Sequence, residues 1–243
     1  MKLAGIDFAW LCNKNPTAIA LGDLADGVLN VTSVEVSVLP VDQIVKKVLS
    51  EEGLSGIAVD ASLIIPNQTG QRSCEIAISK HYGAMGASCH ASNLTLYPEA
   101  ASVELSLILG ENGFAHLSTL KWQIECYPHP SIIEIFGLPR RLAYKKGRVA
   151  EKKAGQKQLA SLIKRLSSSP VLPLHLNPDV YMYLDESHVD SLRGKGLKSN
   201  EDALDAIICL YIAGLYANGA PGRTFGNTDD GYIWVPQGNV LPK

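Results

Sequence analysis

The chain has 243 residues, of which 46% are hydrophobic, and a formal net charge of −2. That is enough apolar material for one large domain with a sizeable core, and Gly, Pro and charge contents are ordinary for a globular chain. The five cysteines (Cys12, Cys74, Cys89, Cys126 and Cys209) are odd in number and contain no CxxC pair, so neither a disulfide framework nor a zinc ribbon is indicated, and a reducing, cytoplasmic setting fits.

Lys2 to Phe8 reads as a buried strand, and Asp7 breaks its apolar run too early for a signal peptide. Thr17 to Leu24 and Val28 to Val36, separated by Asp26-Gly27, complete an antiparallel meander. Pro40 to Glu52 predicts a helix with Val41, Ile44, Val45 and Val48 as its apolar stripe. Gly56 to Asp60 follows as a short buried strand, and the strand–helix–strand order suits a parallel crossover into the same sheet. Ser73 is placed to cap a helix ending near Tyr82. Gly83 to Tyr97 has no period and suggests a mobile loop over a site. Pro98 to Leu109 reads as a helix with Pro in its first turn, and Trp122 to Cys126 as a strand ended by Pro128 and Pro130. The remainder is mainly helical: Ala150 to Leu166, Pro178 to Val189 and Asn200 to Ala217, with Gly194 to Ser199 a flexible approach to the last. Gly231 to Pro236 predicts a final strand or an extended tail. The run from Ile207 to Ala217 is too short to span a bilayer, and its all-round apolarity indicates a helix buried in the fold, so no membrane association is expected.

Charge is uneven. Residues 140–165 hold ten of the 22 Lys and Arg, with Glu151 their only acid, so this segment carries +9 and the rest −11. It reads either as a solvated helix face with its preceding loop or as a phosphate-binding surface. Within it, Lys145, Lys146 and Arg148 are the candidates to grip phosphate. Lys198, one turn before Asp202, is a further candidate near the substrate.

The last helix carries the most informative pattern. Asp202 and Asp205 are three apart and share a helix face, although the helix is otherwise built for burial. Asp7 and Asp60 each end a short apolar run. Any one of the four alone reads as structural: a strand-end turn residue, or an acid near a helix N-terminus. Together, on three rigid elements, they favour a site for a hard divalent cation, Mg²⁺ or Mn²⁺. Glu125, at the end of an apolar strand, is either a fifth acid of that site, an acceptor bonding one of its ligands, or a strand-end residue bonding a backbone amide. Arg72 and Glu75 read as a surface ion pair beside it.

The element order is that of a ribonuclease H-like fold: an α/β domain with a mixed five-stranded sheet covered by helices, its first and fourth strands adjacent, and a helical, basic insertion at about 130–198. Gly5-Ile6-Asp7, Val59-Asp60-Ala61, Arg72-Ser73-Cys74-Glu75, Glu125-Cys126-Tyr127-Pro128, Tyr144-Lys145-Lys146-Gly147 and Glu201-Asp202-Ala203-Leu204-Asp205-Ala206 occur in an order and spacing that resemble an uncharacterised domain-of-unknown-function family, number 429, described as a predicted nuclease of ribonuclease H-like fold. The closing motif is also similar to the last helix of RuvC-type resolvases, which share the Asp-x-x-Asp-Ala spacing. That resemblance implies that Asp7, Asp60, Asp202 and Asp205 are the metal-binding acids. The chain departs from RuvC-type enzymes in having Asp60 where they carry Glu, which requires a metal closer to the strand.

The expected activity is hydrolysis of nucleic-acid phosphodiesters by two metal ions, one activating water and one stabilising the leaving oxygen. The rivals are a non-catalytic nucleic-acid-binding module with a relict acid cluster, and a phosphotransferase of the actin type. The latter needs glycine-rich phosphate loops that Phe8-Ala9-Trp10 and Ala61-Ser62-Leu63 do not supply. Gly86-Ala87-Ser88-Cys89-His90 has His where a nucleophile elbow needs Gly, which argues against a serine hydrolase. A homo-oligomer is compatible with the sequence.

Overall fold

A computed structural model of the chain describes residues 1–10 and 12–242. The N-terminal apolar runs form the expected meander of β1 (Lys2–Asp7), β2 (Thr17–Ala25) and β3 (Val28–Ser37). Asp26 and Gly27 between β2 and β3 both have positive φ, 51° and 73°, as a tight I′ hairpin turn requires. Helix α1 (Val41–Leu49) buries its predicted stripe and leads into β4 (Leu54–Asp60), which pairs in parallel with β1. Then follow α2 (Ser73–Tyr82), α3 (Ala101–Glu111), β5 (Ala115–His116), β6 (Trp122–Glu125), α4 (Pro128–Phe136) and α5 (Val149–Arg165). The chain ends with β7 (Leu174–Leu176), α6 (Glu186–Ser191), α7 (Gly194–Ala217), β8 (Gly222–Asn227) and β9 (Gly231–Pro236).

The main sheet has the order β5-β6-β4-β1-β2-β3-β7 and is mixed. The α/β class and the adjacency of first and fourth strands are as the sequence predicts, but the sheet has seven strands rather than five. The two additions, β5 and β7, are the edge strands, of two and three residues. Runs that short carry no readable alternation. β7 lies within the expected 130–198 insertion, so that segment completes one edge of the sheet as well as supplying helices. β8 and β9 form a separate two-stranded sheet, bridged to the chain after β6 at Cys126–Trp234, and pack on α2, where Cys74, Ile78, Phe225, Ile233 and Val235 share a small core.

Other boundaries moved for local reasons. Arg72, not Ser73, is the residue before α2, and its backbone N–H donates to the Glu75 carboxylate at 2.9 Å. Pro98 lies outside α3. The helix expected over Pro178–Val189 is a 3-10 segment, Pro178–Leu184, followed by α6; Asp185 divides them, its carboxylate accepting from the His188 N–H at 2.7 Å. Gly194 to Ser199 is the opening of α7 rather than a linker. Leu197 is buried there, its carbonyl accepts from Gln156, and Lys198 pairs with Glu201 and Asp202 at helical spacing.

The central strands have two different faces. Ala4, Ile6 and Phe8, with Ile57 and Val59, point to a core made with α1 and α3. Leu3 and Ala58 point to the larger core beneath α7 and α5. Side chains alternate along a strand, so Gly5, Asp7, Gly56 and Asp60 fall on the α7 face. No helix among the described residues is long and apolar enough to cross a membrane.

Candidate metal centre

Gly5 sets the depth at which α7 meets the sheet. A Cβ there would lie 2.0 Å from the Leu210 backbone nitrogen and 2.5 Å from the Ala206 carbonyl oxygen. Only a residue without a side chain lets strand and helix backbones approach so closely. The same approach brings the start of the buried part of α7 onto the ends of β1 and β4, where Asp7 and Asp60 are paired in register.

Among the described residues, Asp7, Asp60 and Asp205 each offer a carboxylate oxygen within 4.8 Å of the other two, close enough to hold one metal ion. Asp205 is fully buried; Asp7 and Asp60 are half-buried. The Tyr144 hydroxyl donates to Asp205 Oδ1 at 2.7 Å, and Lys145 Nζ lies 2.6 Å from Asp205 Oδ2 and 4.0 Å from Asp60 Oδ2. Asp202 lies outside the three-acid group, though close enough for its charge to act on Asp7. Its Oδ1 accepts from Lys198 at 2.6 Å, while its buried Oδ2 has no hydrogen-bond partner.

The charges do not balance. Among the described residues, five carboxyls (Asp7, Asp60, Glu201, Asp202 and Asp205) face two ammonium groups, Lys145 and Lys198. Burial, followed by the charge of Asp205, pushes Asp7 well above the usual carboxylate range. Burial pushes Asp60 up to about 7 against the opposing pull of Lys145. Asp202 is raised by burial, against Lys198. Burial alone would lower the Lys145 ammonium; Asp205, Tyr144, Asp60 and Asp7 outweigh it and hold the proton on. Such a set, with excess negative charge and a carboxylate oxygen lacking a partner, fits a divalent cation.

Glu125 lies apart from the three-acid group. Its carboxylate receives Arg72 through both Nη atoms and the Leu63 N–H at 2.9 Å. Arg72 Nε donates to Glu75 Oε1 at 2.9 Å, and Nη1 also reaches the Ile64 carbonyl. All three side chains are buried, which corrects the expectation of a surface pair between Arg72 and Glu75. The i,i+3 spacing of Arg72 and Glu75 was legible; Glu125, fifty-three residues further on, brings the pair inside.

The expected phosphate-binding residues divide. Lys145 reaches the acids. Lys146 and Arg148 are exposed beside it, with Arg140 and Arg141 on the same loop. The Lys198 ammonium is engaged by Glu201 and Asp202. Lys153 and Lys157, also in the basic segment, bond Asp190 of α6. His129 is buried and held neutral, its pKa lowered to about 3 by burial and then by Lys145 and neighbouring cations.

A cavity of about 400 Å³ lies against Asp7, Asp60 and Lys145, and its wall also includes Trp10, Tyr97, Tyr127 and the Arg72–Glu125 pair. Part of that wall is the segment expected to be a mobile loop. It is tied down: the Ser92 N–H donates to Glu75, the Ser62 and Ser92 hydroxyls bond at 2.8 Å, and Asn93 reaches the Gly70 carbonyl. The aromatic residues of the wall had no sequence signal, because they come from three separate connections.

A family model described as "Protein of unknown function (DUF429)" matches residues 5–230. No curated protein and no solved structure matches the chain.

Proposed function

The chain belongs to the DUF429 family, whose description assigns no activity, so the reading rests on the site, and we propose that this is a Mg²⁺- or Mn²⁺-dependent phosphodiester hydrolase acting on nucleic acid. The observation that carries it is the convergence of Asp7, Asp60 and Asp205 from two adjacent strands and a crossing helix. The strand order around β1 and β4, with an acidic helix laid across them, supports the ribonuclease H-like reading of the fold.

Asp7, Asp60 and Asp205 would hold the cation, with Asp202 beside them. A bound divalent cation supplies positive charge to the oxygens of a phosphodiester and activates water for attack. The protein's own groups do the rest. The Tyr144 hydroxyl fixes the orientation of Asp205. Lys145 carries positive charge into the cavity, where a phosphate would need it. Exposed Lys146, Arg148, Arg140 and Arg141 put positive potential around that lysine, in a chain that is acidic elsewhere.

Lys145 also gives the binding-module reading an observation of its own, since its ammonium already neutralises part of the cluster. Cleavage of a labelled oligonucleotide separates the two. The hydrolase reading expects cleavage that needs Mg²⁺ or Mn²⁺, stops in EDTA and is lost in Asp205→Asn. Metal-independent binding with no cleavage by the wild type would leave the module.

A further inference from the structure

The acids share one cavity with an aromatic wall, and that pairing bears on which nucleic acid the site takes. The inference rests on the hydrolase reading above. At about 400 Å³ the cavity is near the lower end of the range for small-ligand pockets, about 300–1,000 Å³. That is room for one nucleotide and not for a base pair.

The cavity wall combines charged and aromatic residues. Among the described residues its one lysine is Lys145, which pairs with Asp205 and stands beside Asp60 and Asp7. Arg72 also lines it, but two carboxylates and a carbonyl occupy its guanidinium, leaving no charge for a second phosphate. The Ser62 and Ser92 hydroxyls are engaged with each other. Trp10 and Tyr97 supply flat apolar surface, half-buried, their ring centroids 4.2 Å apart and their planes tilted by 32°. Every nucleobase has a π-face that stacks on such rings, whatever its sequence. A nucleoside polyphosphate would find too few cations here, and a duplex would have to release a base before it could enter.

We infer that the cavity beside Asp7 and Asp60 is a pocket for a single unpaired nucleotide, its phosphate toward the acids and Lys145 and its base against Trp10 and Tyr97. The substrate is then single-stranded or frayed nucleic acid rather than intact duplex.

The test uses ligands that carry no internucleotide bond to cut. Binding of deoxyadenosine 5′-monophosphate and of deoxyribose 5-phosphate is measured by calorimetry on the full chain in Mg²⁺. The expected result is that the nucleotide binds at least about tenfold tighter than the sugar phosphate, the scale of one base–aromatic stack. Trp10→Ala and, separately, Tyr97→Ala should each shrink that ratio while leaving Mg²⁺ affinity unchanged. Two variants guard against one that fails to fold, and a Mg²⁺ titration of each reports an intact site. Equal affinity for the two ligands in a wild type that binds Mg²⁺ would overturn the pocket and leave the hydrolase reading standing. An undiminished ratio in both variants would also overturn it. A wild type that binds neither Mg²⁺ nor nucleotide would overturn both readings.

Discussion

Two groups of buried charge line the same cavity, and they are built differently. At Arg72 one guanidinium meets Glu125 and Glu75, and its remaining donor capacity reaches a backbone carbonyl. The Leu63 and Ser92 N–H groups bond the same two carboxylates. At Asp7, Asp60, Asp202 and Asp205 the acids again outnumber the cations, but here two buried oxygens have no hydrogen bond: Asp202 Oδ2, and Asp205 Oδ2, which has only the Lys145 ammonium beside it. Burying charge is costly in both places. The first group offsets that cost internally. The second, despite Lys145, Lys198 and Tyr144, leaves part of it uncompensated, as expected of a site whose partner is a ligand. Both groups carry excess acid; completeness of hydrogen bonding, more than net charge or burial, separates them.

Breaking the fully hydrogen-bonded group should have the larger effect on folding. Arg72→Met removes the cation and leaves Glu125 and Glu75 buried together. Loss of one partner from a buried pair costs about 3–5 kcal/mol. Urea unfolding should show a loss of that size, with or without Mg²⁺. A loss below about 1 kcal/mol would mean that the Arg72 group is not the structural anchor its geometry indicates.

Breaking the incompletely bonded group should have the opposite sign, and pH reveals it. Asp60 titrates at about 7 in the folded protein, against about 3.9 for an unfolded aspartate. An acid whose folded pKa is raised adds stability below its unfolded pKa and loses it as pH rises through the folded value. Asn cannot ionise. In EDTA, Asp60→Asn should therefore melt close to wild type at pH 4 and increasingly above it up to about pH 7, with no further change beyond. At 2–4 °C per kcal/mol for a chain of this size, the expected gap is several degrees. Comparison with the variant cancels the other titrations, including His129, which is buried neutral and would oppose the trend. A variant less stable than wild type at pH 8 would make Asp60 a structural partner of Lys145.

The same contrast explains what could be read from the sequence. Asp7 and Asp60 were legible because each ends a short apolar run; that Gly5 lets the helix come close is a contact of the fold, which no local pattern shows. Asp202 and Asp205 were legible from helical spacing. The spacing could not show that Lys198, four residues before Asp202, draws that carboxylate aside while Asp205 completes the group. The Arg72 group depends on a contact between α2 and β6, which no local pattern encodes. Lys145 was legible as a basic residue, but its place against Asp205 comes from the fold, through Tyr144 buried beside it.

Calorimetric titration of the metal-free protein with Mn²⁺ tests the metal centre most directly, using wild type, Asp205→Asn and Lys145→Met. Wild type should bind, and Asp205→Asn should lose most of the heat. Lys145→Met should bind at least about tenfold tighter, because its ammonium no longer competes for Asp205 and Asp60. A unit charge at about 4 Å is worth several kcal/mol at an effective dielectric of about 20, so tenfold is a floor. Absence of heat in the wild type, or equal heats from wild type and Asp205→Asn, would contradict the metal centre and leave Lys145 as the permanent counter-ion of the cluster.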